Sequence, residues 1–208
     1  MFLAYVCQPI PPQRMDEFLR YFTCGFRHVL DFHGIDQFLF IIILIVPYTH
    51  KHWRTIVLLL TLFTLGNTMA LVMAFYINIK ANIIITEMLM ECLILSAAVY
   101  NFIKARHNPQ EERIPVVGGG TLLFGILHGL GLYSHLKPEL KNTAREKLFP
   151  LLEFSLGLES AHILLTGCVL LLAYALHHFF NLSKRDWIFI TSSFVAGVVV
   201  PMMFNNKF

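Results

Sequence analysis

The chain has 208 residues, 56% of them hydrophobic and 14% charged, with 19 phenylalanines and a formal charge of +3. This is too apolar for a water-soluble domain of ordinary composition, and the basic residues are scattered through short segments, which excludes a nucleic-acid surface. What remains is an all-α, polytopic integral membrane protein whose main partner is the lipid bilayer.

Residues 1–18, MFLAYVCQPIPPQRMDEF, have too short an apolar run, no basic region before it and no small-residue cleavage site, so no cleavable signal peptide is expected and the first span must direct insertion. Pro9, Pro11 and Pro12 make this beginning an extended arm. From Met15 to Leu30, Phe18, Leu19, Phe22, Phe26, Val29 and Leu30 recur at helical spacing with charged residues between them. That pattern predicts an N-terminal amphipathic helix lying at the membrane interface. A first span follows at about 34–48, short for a full crossing, so its helix is expected to begin near His28 or Gly34.

Further spans are predicted at about 53–77, 83–103, 116–133, 148–180 and 187–204, giving six in a single domain over 1–208. The fifth stretch is long, and Pro150 suggests that 149–154 forms a separate interfacial turn. Cys7, Cys24, Cys92 and Cys168 are far apart and form no CxxC pair, so neither a disulfide framework nor a zinc knuckle is expected. Lys51 and Arg54, Lys104, Arg106 and Arg113, and Lys184 and Arg185 fall at one end of the bundle; Lys137, Lys141, Arg145 and Lys147 fall at the other. Taking the three shorter basic loops as cytoplasmic places both termini outside, in a membrane expected to be the bacterial inner membrane.

Polar residues inside such spans are costly and mark function or specific packing. His33 and Gln37 are four apart, and His33 and Asp36 three apart, so helical geometry puts them on one face. Glu87 and Glu91 superpose in the same way on the third span, where two acids repel unless a proton or cation sits between them. His128 lies among Gly125, Gly129 and Gly131, which are expected to pack helices closely. Glu159 and His162 form an E-x-x-H pair, a spacing that supplies ligands in metal-binding bundles.

Each has an ordinary structural explanation beside the functional one. His28 and His33 can sit at headgroup level, where imidazole is cheap. Asp36 can cap the first span, and Glu87 can complement the dipole at the start of the third. His128, Glu159 and His162 can form a buried hydrogen-bond network that locks the helices without binding anything.

The stretches GFRHVLDFHGIDQFLF (25–40), FTLGNT (63–68), Glu87 followed by Asn101, FGILHGLGL (124–132) and LLEFSLGLESAH (151–162) resemble, in order, the blocks of the HupE/UreJ-type hydrogenase and urease accessory membrane proteins. The resemblance spans most of the chain. It implies a nickel permease or metal-handling facilitator, not an enzyme, with His28, Asp36 and His128 on the path of a divalent transition metal and Glu87 and Glu159 as supporting acids.

The chain departs from that pattern at two positions: Gln37 stands where the family usually has histidine, and so does Asn67. Amide oxygens are hard and neutral and hold nickel-type ions poorly compared with imidazole. His162 stands where related sequences tend to have Gln, and His33 and Glu91 are additional. Three functions are therefore expected in descending order. The first is a transition-metal permease. The second is a non-transporting accessory or structural subunit, with protein partners in a larger membrane complex. The third is an intramembrane metal-carboxylate enzyme, ranked last because such sites generally use two E-x-x-H motifs and this chain has one.

Overall fold

The computed structural model describes residues 14–30, 35–77, 81–107, 114–140 and 148–205. Among them the order is α1 (Arg14–Leu30), α2 (Ile35–Ile45), a 3-10 turn (His50–His52), α3 (Trp53–Ile77), α4 (Ile83–His107), α5 (Ile114–Leu140), α6 (Leu148–Phe180) and α7 (Lys184–Asn205), with no strand. The result is an all-α membrane bundle. Five of these helices are long and apolar enough to cross a bilayer, and α1 with α2 makes a sixth crossing if that bent pair is one broken span. The arm at 1–13 and His33 lie outside the described residues.

Helix boundaries follow local chemistry. Asn82 caps α4 by accepting from the Ile84 backbone N–H at 3.1 Å. Ser183 caps α7: its hydroxyl accepts from the Asp186 N–H at 3.1 Å and donates to the Asp186 carboxylate at 2.6 Å. Between α6 and α7 the chain turns at Asn181, whose φ of 51° is left-handed, a conformation asparagine tolerates at a helix C-terminus. Pro150 sits inside the first turn of an unbroken α6, where its missing N–H costs nothing, so 149–154 is not a separate piece.

Two differences from expectation arise at the beginning of the described chain. The helix stops at Leu30 and restarts at Ile35, so α2 has 11 residues, about 16 Å of length and half of the ~30 Å hydrocarbon thickness. Alone it is too short to cross, and it is bent by 74° relative to α1. The amphipathic α1 is also seated on α6 through a backbone-to-backbone contact: a Cβ on Gly25 would lie 2.0 Å from the Phe154 carbonyl oxygen, and one on Gly157 would lie 2.0 Å from that of Phe22. In addition, Cys24 is disulfide-bonded, where no bridge was expected; Cys92 and Cys168 are free thiols.

A second glycine seam joins α3 to α5, the most extensively packed pair of the bundle. A Cβ on Gly125 would meet the Phe63 carbonyl oxygen at 2.3 Å, one on Gly129 that of Asn67 at 2.4 Å, and one on Gly66 that of Leu122 at 2.6 Å. Gly125 and Gly129 are four apart and so face the same neighbour. Gly131 makes only ordinary contact with α4, 3.7 Å from Thr86. Helix α4 completes the bundle against α7, α5 and α2, and the Asn101 side chain donates to the Ile43 carbonyl at 2.7 Å, tying α4 to α2.

Candidate functional site

The two glycine seams bring the centres of α3, α5 and α6 together with the start of α2 and the end of α1. At that meeting point lie the polar groups that hydrocarbon does not tolerate alone. His162 and Asn67 are fully buried at 0% exposure, Gln37 at 1% and His128 at 6%.

His162 anchors a chain of hydrogen bonds. The Gln37 side-chain nitrogen is bonded to His162 Nε2. On the other side of the ring, His162 Nδ1 lies 3.3 Å from Thr64 Oγ1, and the Thr64 hydroxyl donates to the Glu159 carboxylate. With the Gln37 amide nitrogen as donor, His162 accepts at Nε2 and its ring proton would sit on Nδ1, directed at Thr64. The donors run one way, from Gln37 through His162 and Thr64 to Glu159. One turn along α3, Thr68 donates to Ser155 of α6 at 2.8 Å and strengthens the same helix pair.

His128 belongs to a neighbouring group. Its ring centroid is 5.8 Å from that of His28, which in turn lies 6.2 Å from Phe154. The groups are joined by Phe63, whose ring lies 5.9 Å from His128 and 4.8 Å from His162. Phe40 stacks on Phe124 at 3.7 Å, and both pack on Phe63, which makes an aromatic wall around the histidines. Sequence reasoning passed over this wall. Its signal was nonetheless present, since Phe63 opens FTLGNT and Phe124 opens FGILHGLGL.

The remaining expected residues are distributed elsewhere. Asp36 is half-buried in the first turn of α2, where a carboxylate complements the helix dipole. Glu87 is half-buried and Glu91 buried on α4, whose main neighbours are α7, α5 and α2, whereas Glu159 and His162 come from α6. Among the described residues no three His, Cys, Asp or Glu side chains stand together in a way that could hold a metal ion. The structure thus brings His28, His128, Glu159 and His162 into one region, in pairs and not as a closed ligand set.

The two positions read as departures are distinctive. Among the described residues, neither the oxygen nor the nitrogen of the buried Asn67 side chain meets a hydrogen-bonding partner, and the Gln37 oxygen meets none either. Buried amides are normally satisfied, and leaving one bare costs about 1–3 kcal/mol, which sets these two positions apart from the bonded polar groups around them.

These features define a class: a helical integral membrane protein with a histidine, amide and carboxylate cluster at the centre of its bundle. The chain belongs to the HupE / UreJ protein family, whose model matches residues 7–207. Membership places it among metal-related accessory membrane proteins. No curated protein and no solved structure shows significant similarity to it.

Proposed function

We propose that the protein is a transition-metal permease of the nickel type, in which the metal is cargo and the central cluster is its resting place in mid-membrane. The observation that carries this reading is the set of buried amide atoms on Gln37 and Asn67 that meet no partner among the described residues, Gln37 on His162 and Asn67 against the helix of His128. Imidazole nitrogens, a half-buried carboxylate and neutral amide oxygens form a weak mixed donor set. Such a set lets an ion bind without being trapped, which transport requires. Asp36 at the start of α2 and His28 at the end of α1 supply the approach. Because no closed ligand set stands ready, binding draws the pairs together, and His162 Nε2 becomes available only when Gln37 releases it. Uptake of radioactive nickel at limiting metal is expected to fall in cells carrying His128→Ala or Asp36→Ala; unchanged uptake in both would remove the proposal.

A second reading is supported by that same Gln37 contact. It seals the one nitrogen of His162 that points towards α2, as it would in a member that has lost transport and serves as a subunit of a larger membrane complex. Metal content measured on protein purified in mild detergent, with co-purifying chains identified, separates the two. Metal-loaded chains without partners support the permease; a stable partner on metal-free chains supports the subunit.

A further inference from the structure

The glycine run that opens α5 has a part in the structure that the central cluster does not use. Gly120 faces a cavity of about 280 Å³ between α2, α4 and α5, walled by Phe40, Ile43, Leu93 and Ala97. A Cβ on Gly120 would meet nothing within 4 Å, in contrast to the glycines of the two seams. Glycine disfavours a helix relative to alanine, so at this position it keeps space open instead of letting a neighbouring helix approach.

The wall asks nothing polar of an occupant. The hydroxyls of Ser96 and Thr121 and the amide nitrogen of Asn101 are each spent on main-chain carbonyls, at 2.7, 2.8 and 2.7 Å respectively. The cavity runs alongside α4 from Leu93 to Lys104, about 16 Å by helical rise. Its outer end changes character: there stand Tyr48, Tyr100 and Lys104, with the Lys104 ammonium 6.0 Å from the Tyr100 ring centroid. Beside it, Val116 is 60% exposed, which leaves the cavity open towards the membrane. This is the end of the bundle that also carries Lys51, Arg54, Arg106, Lys184 and Arg185.

We propose that the cavity between α2, α4 and α5 binds one anionic phospholipid, with an acyl chain along the Gly120 wall and the phosphate at Lys104. An apolar slot of acyl-chain length ending in an ammonium and two tyrosines at headgroup level matches a lipid from tail to head. Basic pockets between membrane helices recognise anionic headgroups in this way. The cavity shares Phe40 with the aromatic wall but is lined by none of the histidines, and the proposal does not depend on what the histidine cluster carries.

The test is native mass spectrometry of the full chain released from mixed vesicles of phosphatidylglycerol and phosphatidylcholine. Wild-type protein is expected to retain one phosphatidylglycerol per chain, preferred about fivefold over phosphatidylcholine, the effect of one lysine at the membrane surface. Gly120→Leu, whose Cβ meets nothing within 4 Å, projects into the slot and is expected to abolish retention of both lipids with no loss of thermal stability. Lys104→Gln adds no volume, so it decides the question even if the leucine variant misfolds: the preference should disappear. Retention unchanged in Gly120→Leu, a preference unchanged in Lys104→Gln, or a dimer through this face in place of lipid would each overturn the assignment.

Discussion

The α3–α5 seam sets the position of His128, and a single methyl group at Gly125 tests it. In Gly125→Ala the new Cβ would stand 2.3 Å from the Phe63 carbonyl oxygen and 3.2 Å from the Asn67 nitrogen. Backbone cannot swing aside as a side chain can, so the helices must part by about 1 Å to restore ordinary contact, and a gap of that size forfeits a quarter to a half of the dispersion energy along the seam. Overpacking of this kind costs about 1–3 kcal/mol. Gly119→Ala is the matched control, because its Cβ would meet nothing within 4 Å; there the helix gains about 0.5–1 kcal/mol from the better helix former. The two substitutions add the same methyl group to the same helix and are expected to move stability in opposite directions. Reversible denaturation in detergent micelles, followed by the loss of helical circular dichroism, measures both. Equal effects of the two variants, or a Gly125→Ala protein as stable as wild type, would refute the close approach of α3 and α5.

Other variants probe the remaining contacts. Gly157→Ala drives a Cβ into the Phe22 carbonyl oxygen and is expected to loosen α1 from α6, read as faster proteolysis within α1 while α3 to α7 stay protected. Thr64→Val keeps the volume but removes the link between His162 and Glu159; a loss of about 1–3 kcal/mol is expected from the stranded buried partners, and a neutral effect in the same denaturation assay would speak against the network. Asn101→Leu removes the bond to the Ile43 carbonyl and should cost about 0.5–1.5 kcal/mol, with no change in metal uptake. Gln37→His with Asn67→His replaces two bare amides with imidazoles and is expected to tighten binding of nickel by at least tenfold in calorimetric titration; unaltered affinity would show that these positions do not face the metal.

The fold was largely legible because hydrophobic length and composition carry it, and the long spans need no tertiary information to be recognised. What sequence could not supply was the pairing of helices. Gly125 and Gly129 announce close packing, yet nothing in their own helix says that Phe63 and Asn67 are the backbone they approach. Gly25 and Gly157 carry the equally close α1–α6 contact and lie in segments whose amphipathic or acidic pattern drew attention elsewhere. That contact is why α1 is a packed element of the bundle as well as an amphipathic one.

The candidate site was legible residue by residue but not in its grouping. His162 and Glu159 share a helix face, as their spacing requires, and Thr64 bridges them from α3. Glu87 and Glu91 also share a face, but one on α4, a helix whose principal neighbours do not include α6. Spacing within a helix fixes which side chains align; the rotation of that helix against its neighbours is decided by the glycine seams and the aromatic wall, which spacing does not encode.

The central claim is that the histidine cluster passes a transition metal. Purified chain reconstituted into proteoliposomes, with internal nickel followed after external addition, addresses it without help from partner proteins. Nickel entry above that of protein-free vesicles, reduced at least tenfold in both His128→Ala and His162→Ala while Asn101→Leu retains it, is the predicted result. Entry no faster than in protein-free vesicles, or entry undiminished when both histidines are removed, would contradict it.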